Sequence, residues 1–309
     1  MNTIIKFLFI GFLSISMISC GDEDIVTPPV EETNTIVDIA LGDAQFSTLV
    51  AALQRTDLVS TLQGDGPFTV FAPTNEAFTA LGVDLTTISD DALKEILLYH
   101  VIGAEIKSTD LAEGQTYAST AAATGPGGNA LSVLVEKTGA AVKLNNLANV
   151  TTADVDADNG VIHIIDNVIT PLDVVGHAQA NSNFTSLVNA LVAAPGELVS
   201  VLQGDGPFTV FAPVNSGFDA ISDIVATLSG DQLASVLTYH VVGGANVLST
   251  DLSNEMEVAT VNGQSFMVHI GDKVQIQDST NNKSDVIVTD VQATNGVIHA
   301  VGSVIIPNL

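Results

Sequence analysis

LQGDGPFTVFAP stands at residues 62–73 and again, letter for letter, at 202–213. So long an identity inside one chain points to a folding unit written twice. Outward from it the echoes continue. Phe46 and Phe184 open matching apolar segments, Tyr99-His100 returns as Tyr239-His240, and NGVIH at 159–163 returns at 295–299. The offset between copies drifts by a few residues from marker to marker, as loops gain and lose residues around a constant framework. Two tandem domains are therefore expected, over 34–171 and 172–309, with the crossing near Pro171-Leu172. Units of this size lie within the usual domain range of roughly 50–250 residues.

The pattern within each copy predicts an α+β fold. Phe46, Leu49, Val50 and Leu53 fall at helical spacing behind a capping Asp43, and Phe184, Leu187, Val188 and Leu191 repeat the stripe. Phe68 to Ala72 is a short, continuously apolar run, as for a strand covered on both faces, and Pro73 stops it. Asp90 to His100 reads as a helix presenting Leu93, Ile96, Leu97 and His100 to one side. Helices come early and strands late, which argues against alternating βαβ units. Outside the N-terminal apolar segment, every phenylalanine but Phe266 is paired between copies, so these rings are expected to fill equivalent cores.

GPFTVFAPTNEAF at 66–78, the downstream Tyr99-His100 and the closing NGVIHIIDNVITP at 159–171 together resemble the fasciclin domain, and the second copy keeps the same order. The likeness covers nearly everything from about residue 34 onward. It implies two tandem fasciclin-like domains, each a β-strand wedge flanked by short helices. The second copy departs by Gly302 for Asp166 and by Val214, Ser216 and Gly217 for Thr74, Glu76 and Ala77. The first copy is longer around Gly-Pro-Gly-Gly at 125–128. The resemblance also implies a non-enzymatic, surface-displayed module for cell adhesion or extracellular matrix association. Its partners would be matrix, cell-surface proteins or polysaccharide. Because the Tyr-His region of the family is associated with adhesion, Tyr99, His100, Tyr239 and His240 are candidate binding residues by that resemblance. The residues alone favour packing, with Tyr and His tying a helix to the strand after it. Some fasciclin-like proteins are associated with carotenoids, so a carrier of an apolar small molecule is the alternative function.

The formal charge of −27 excludes most polyanion partners. Arg55 is the one arginine, and beyond Leu144 the only cations are Lys273 and Lys283, so nucleic acid finds no cationic cluster to displace its counterions. The N-terminus reads as an export signal over 1–19: Lys6, an apolar core from Phe7, then Ser-Met-Ile-Ser before Cys20. This resembles the lipobox of bacterial lipoproteins, with Met17 where leucine is commonest; an ordinary secretory signal is the other reading. Cys20 is thus the expected lipidation site and 20–33 an acidic, proline-bearing linker. The expected location is the cell envelope, lipid-anchored to the bacterial outer membrane and surface-exposed. With Cys20 the only cysteine, no internal disulfide is possible.

Catalytic and metal chemistry find little support. His100/His240 and His163/His299 are paired, but no cysteine or acidic residue joins them at ligand spacing, so satisfied, partly buried imidazoles are expected. Asp154, Asp156 and Asp158 miss the calcium-loop spacing, since Asn159 and Ile165 occupy the glycine and glutamate positions; a solvated acidic turn is expected. No Gly-x-Ser-x-Gly elbow or phosphate loop occurs. No catalytic residue, metal or cofactor is expected. The absence of tryptophan and the presence of only three tyrosines argue against stacking platforms for a sugar.

Overall fold

In the computed structural model, which describes residues 34–309, FTVFAP becomes a strand in both copies. The expected signal, Cys20 and the linker lie outside the described residues. Before the first of these strands come helices α1 (Ile36–Gly42), α2 (Ser47–Arg55) and α3 (Val59–Leu62). The strand itself is β1 (Phe68–Pro73), followed by α4 (Asn75–Ala80) and α5 (Asp90–Tyr99). Then follow β2 (Val101–Ile102), β3 (Gly114–Ser119), β4 (Ser132–Thr138), β5 (Ala141–Leu144), β6 (Ala148–Ala157) and β7 (Gly160–Ile165). The second domain repeats the order with α6 (Val174–Ala180), α7 (Thr185–Ala193), α8 (Leu198–Leu202), β8 (Phe208–Pro213), α9 (Asn215–Asp219), α10 (Ser222–Val225) and α11 (Gly230–Tyr239). Its remaining strands are β9 (Val241–Gly243), β10 (Met256–Ala259), β11 (Ser265–Ile270), β12 (Val274–Gln277), β13 (Lys283–Ala293) and β14 (Gly296–Val301).

Local sequence explains the helix starts. Thr35 and Ser229 close capping boxes with Asp38 and Gln232, while Thr74, Ser89 and Asp173 each accept an orphan amide. Val214, where the first copy has Thr74, leaves its helix without a side-chain cap. Asp43 caps a single 3-10 turn, and α2 begins only after Phe46.

Each domain is a seven-stranded mixed sheet, ordered β2-β1-β7-β6-β5-β4-β3 and β10-β11-β12-β13-β14-β8-β9. The one parallel pairing in each joins the repeated strand to the closing NGVIH strand, Phe68 opposite Gly160 and Phe208 opposite Gly296. β1 is covered on both faces, which is why it reads as unbroken apolar sequence. Val70 and Ala72 face the helices with Phe46, Leu49, Leu53 and Leu97. Phe71 faces the other way, into a second core with Tyr99, Val133, Leu144 and Ile165. The second domain splits its core likewise, Val210 and Ala212 against helices and Phe211 with Tyr239 and Phe266.

Asn159 and Asn295 account for the rest of the shared motif. Asn159 donates from Nδ2 to the carbonyls of Leu62 and Gly64 (2.8 Å each) and accepts at Oδ1 from the Ile36 amide (3.0 Å). Asn295 binds Leu202, Gly204 and Val174 the same way. The chain crosses so closely here that a Cβ on Gly160 would lie 2.0 Å from the Phe68 carbonyl oxygen. Gly66, at φ +66°, would bring one 2.2 Å from the Asn159 oxygen. LQGDGPF and NGVIH are thus two halves of one crossing.

Candidate functional site

The Tyr-His pairs sit where α5 meets β2 and α11 meets β9. Tyr99 and Tyr239 are fully buried, and His100 and His240 nearly so. Tyr99 donates to the Ser132 carbonyl (2.8 Å) and accepts from Asn145 Nδ2 (3.0 Å); Tyr239 donates to the Ser265 carbonyl (2.8 Å). Burial pushes both phenols upward, so they stay protonated. His100 uses both nitrogens: Nδ1–H donates to the Ile96 carbonyl (2.7 Å) and Nε2 accepts from the Ile169 amide (3.1 Å). His240 does the same with Val236 and Ile305. Only a neutral imidazole can donate at one nitrogen and accept at the other, and burial lowers both pKa values to about 4. These four side chains therefore offer a partner no free polar atom. Their contacts hold helix, strand and closing segment together.

His163 and His299 occupy mirrored positions with the opposite tautomer. His163 Nε2 donates to the Ile106 carbonyl (2.9 Å) and Nδ1 accepts from the Asp154 amide (3.2 Å); His299 does so with Val247 and Asp290. Asp154 is not the solvated turn its sequence suggests. It lies in an irregular stretch of β6 at φ 59°, where its carboxylate accepts from the amide (2.7 Å) and hydroxyl of Ser108. Burial raises its pKa, but the Ser108 hydrogen bonds outweigh that and hold it below the usual carboxylate range. Asp290 grips Ser249 identically, also at φ 59°. Asp156 instead pairs with Lys107 (2.9 Å), and Asp158 accepts from the Asn34 amide (2.6 Å). Among the described residues no three His, Cys, Asp or Glu side chains converge to hold a metal ion.

Two features went unassigned in the sequence. The first is a joint between the domains. Tyr117 on β3 accepts from Asn181 Nδ2 (2.9 Å) and sets its ring edge-on to His177 (5.7 Å). Gln115 accepts from Asn183 (3.1 Å), and the Ser132 hydroxyl accepts from the buried Gln292 amide (2.9 Å). The Gly-Pro-Gly-Gly extension closes on the same place, since a Cβ on Gly125 would lie 2.9 Å from Gln292 Cγ. His177 is fully buried with both ring nitrogens unpaired, and burial lowers its pKa to about 4. The signal was present as departures from the repeat: Tyr117 lacks an aromatic counterpart and the 125–128 extension lacks any.

The second is a cavity of about 420 Å³ on the β side of the first domain. Its walls are mainly Phe71, Ile102, Val135, Val142 and Val150, with Ser108 and Asp110 among the few polar members. Tyr117 forms part of the wall as well as part of the joint.

The profile described as Fasciclin domain matches residues 44–171 and 182–307, so the chain belongs to the fasciclin family, with two such domains in tandem. It is similar to Protein sll1483 of Synechocystis sp., at 47% identity over 142 residues, covering 44% of this chain and 73% of that protein. Similarity to Transforming growth factor-beta-induced protein ig-h3 of Sus scrofa runs at 29% identity over 279 residues, 87% of this chain but 39% of that protein. The chain thus spans well under half the length of that relative. Among solved structures, a FAS1 domain pair from the insect cell adhesion molecule Fasciclin I matches 84% of this chain and 92% of its own at 21% identity, TM-score 0.49.

Proposed function

We propose that this chain is a non-enzymatic interaction protein, held at the cell envelope by a lipid on Cys20, that mediates adhesion or matrix association. The observation that supports this most is the pairing itself: two fasciclin domains whose paired histidines, buried asparagines and equivalent Asp154 and Asp290 are engaged in holding the fold. His100, His163, His240, His299, Asn159, Asn295, Asp154 and Asp290 all spend their polar atoms on the chain's own backbone and hydroxyls. A joined pair presents two related surfaces on one tether, and linked weak contacts on a repetitive surface gain through effective concentration. The linker over 20–33 holds domains 34–171 and 172–309 off the membrane, and acylation anchors without a spanning helix. The partner class is extracellular matrix, cell-surface protein or polysaccharide.

The test is binding of full-length protein to intact cells, polysaccharide and matrix proteins, against an unrelated acidic lipoprotein, with mass spectrometry of the mature N-terminus. Retention above that control and an acylated Cys20 are expected, and Cys20→Ala should release the protein or leave it unprocessed. Retention no better than the control sinks the adhesion reading. An unmodified N-terminus sinks the anchor.

A second reading, a carrier of an apolar small molecule, is favoured by the first-domain cavity. Its volume lies in the range of roughly 300–1,000 Å³ typical of small-molecule sites, and its walls are mostly apolar.

A further inference from the structure

Resting on that second reading, we infer that the cavity takes one uncharged apolar molecule, and that the second domain is the same chamber filled by its own side chains. The two copies make the comparison internally. The register of β3 with β4 sets Tyr117 opposite Leu134 and Ala118 opposite Val133; that of β10 with β11 sets Glu257 opposite Met267 and Val258 opposite Phe266. Tyr99 and Tyr239 anchor the alignment by binding the carbonyls of Ser132 and Ser265. Thr116, Ala118 and Val133 of the first domain therefore correspond to Met256, Val258 and Phe266 of the second.

Each of those replacements is larger. Thr116 and Ala118 line the cavity directly, as does Phe71, the counterpart of Phe211. In the second domain Phe266 fills the space beside Phe211, with ring centroids 4.9 Å apart, and reaches Tyr239 at 6.1 Å. The first domain has valine there. Ile102 and Ile106 against Val242 and Val247 run the other way by one methylene each. Tyr117 is also larger than Glu257, but its ring packs on the second domain's core at the joint. A methylene at two positions does not offset a missing aromatic ring and a methionine chain.

The chemistry of the walls selects the occupant. Thr69 donates to the Ala104 carbonyl and accepts from the Ile106 amide, Ser108 is held by Asp154, and both nitrogens of His163 are engaged. Hence the polar atoms lining the chamber already have partners, and a polar ligand would give up water for little in return. Asp110 is the one acidic lining residue, and the net charge is −27. The neighbouring cations are engaged: Lys137 donates to the Ser108 and Leu111 carbonyls (3.0 and 2.9 Å), and Lys107 pairs with Asp156 (2.9 Å). An anionic amphiphile finds no counter-charge, and a cation would have to shed its hydration among apolar walls.

The test titrates the full chain with phenylnaphthylamine, an uncharged fluorescent probe, and with its sulfonated analogue, anilinonaphthalene sulfonate. One molecule of neutral probe per chain is expected, with the sulfonate weaker by about tenfold or more, a difference of about 1.4 kcal/mol. The double substitution Thr116→Met/Ala118→Val, which copies the second domain, should weaken neutral-probe binding by at least about tenfold without lowering the unfolding midpoint. Val133→Phe is the independent second variant. If the wild type binds neither probe and yields no organic-extractable molecule, the carrier reading falls and this inference with it. If it binds the neutral probe, the carrier reading stands. The inference is then overturned by two probes per chain, by equal binding of the sulfonate, or by folded variants that bind undiminished.

Discussion

Asn159 carries more of the fold than its size suggests. One amide joins the start of α1, the end of α3 and the turn into β1, through hydrogen bonds that are all buried or nearly so. Asn159→Ala would leave two carbonyls and one amide facing a space that offers no replacement, and each such group costs about 1–3 kcal/mol. The expected loss is about 3 kcal/mol or more in urea denaturation, with Asn295→Ala losing a similar amount from the second domain. A loss below about 1 kcal/mol at both would mean that water or local rearrangement replaces the bonds. By contrast, the paired Tyr and His residues, conspicuous in the sequence, are satisfied internally and contribute through packing.

Between elements, the informative contact is the one Tyr117 makes. Strand β3 is the outer strand of its sheet, and an uncovered outer strand exposes unpaired backbone groups. Here the turn after α6 lies against it through Asn181 and Asn183, and Gln292 on β13 reaches Ser132 on β4. Every hydrogen bond named at this joint joins neutral groups, so added salt should leave it intact. Tyr117→Ala removes the ring from both the joint and the cavity wall, and is expected to separate the unfolding of the two domains. Faster amide exchange at Gln292 is the specific readout, because that amide is bonded across the joint. A single cooperative transition with unchanged exchange at Gln292 would show that Tyr117 does not hold the domains together.

For the whole molecule the buried imidazoles set a pH limit. His100, His177 and His240 titrate near 6.5 in an unfolded chain and at about 4 in the folded one, burial being the main cause. The unfolded state therefore takes up protons first as pH falls. The stabilising contribution is fully present above pH 6.5 and is lost as pH falls toward 4, at roughly 3 kcal/mol per histidine. His299, also shifted down by burial, adds in the same direction. Lowered carboxylates such as Asp154 and Asp166 add a further loss at still lower pH, as they are protonated. The denaturation midpoint should be flat from pH 8 to 7 and fall steeply from about 6.5 to 4. His177→Phe, which removes the imidazole with no paired nitrogen, should flatten part of that slope. A midpoint independent of pH across this window would contradict neutral burial of these rings.

Much of the architecture was legible along the chain because its causes are local or repeated. A strand buried on both faces must be apolar throughout, so FTVFAP announced itself. Helix caps are formed within a few residues of the helices they start, and the duplication exposed the domain pair. The resemblance carried by the shared motifs matched the family to which the chain belongs. Other features had no local trace. Asp154 read as part of a solvated turn because its partner, Ser108, lies far away in sequence, and only folding brings the two together. The joint pairs β3 with the turn after α6, although its members did show as breaks in the repeat. The cavity is the least legible of all. Its volume is what remains when side chains from several strands fail to fill a shared space, so no single residue declares it. Thr116, Ala118 and Val133 are ordinary strand residues, and their smallness acquires meaning only when the folded sheet sets them on the same side as Phe71.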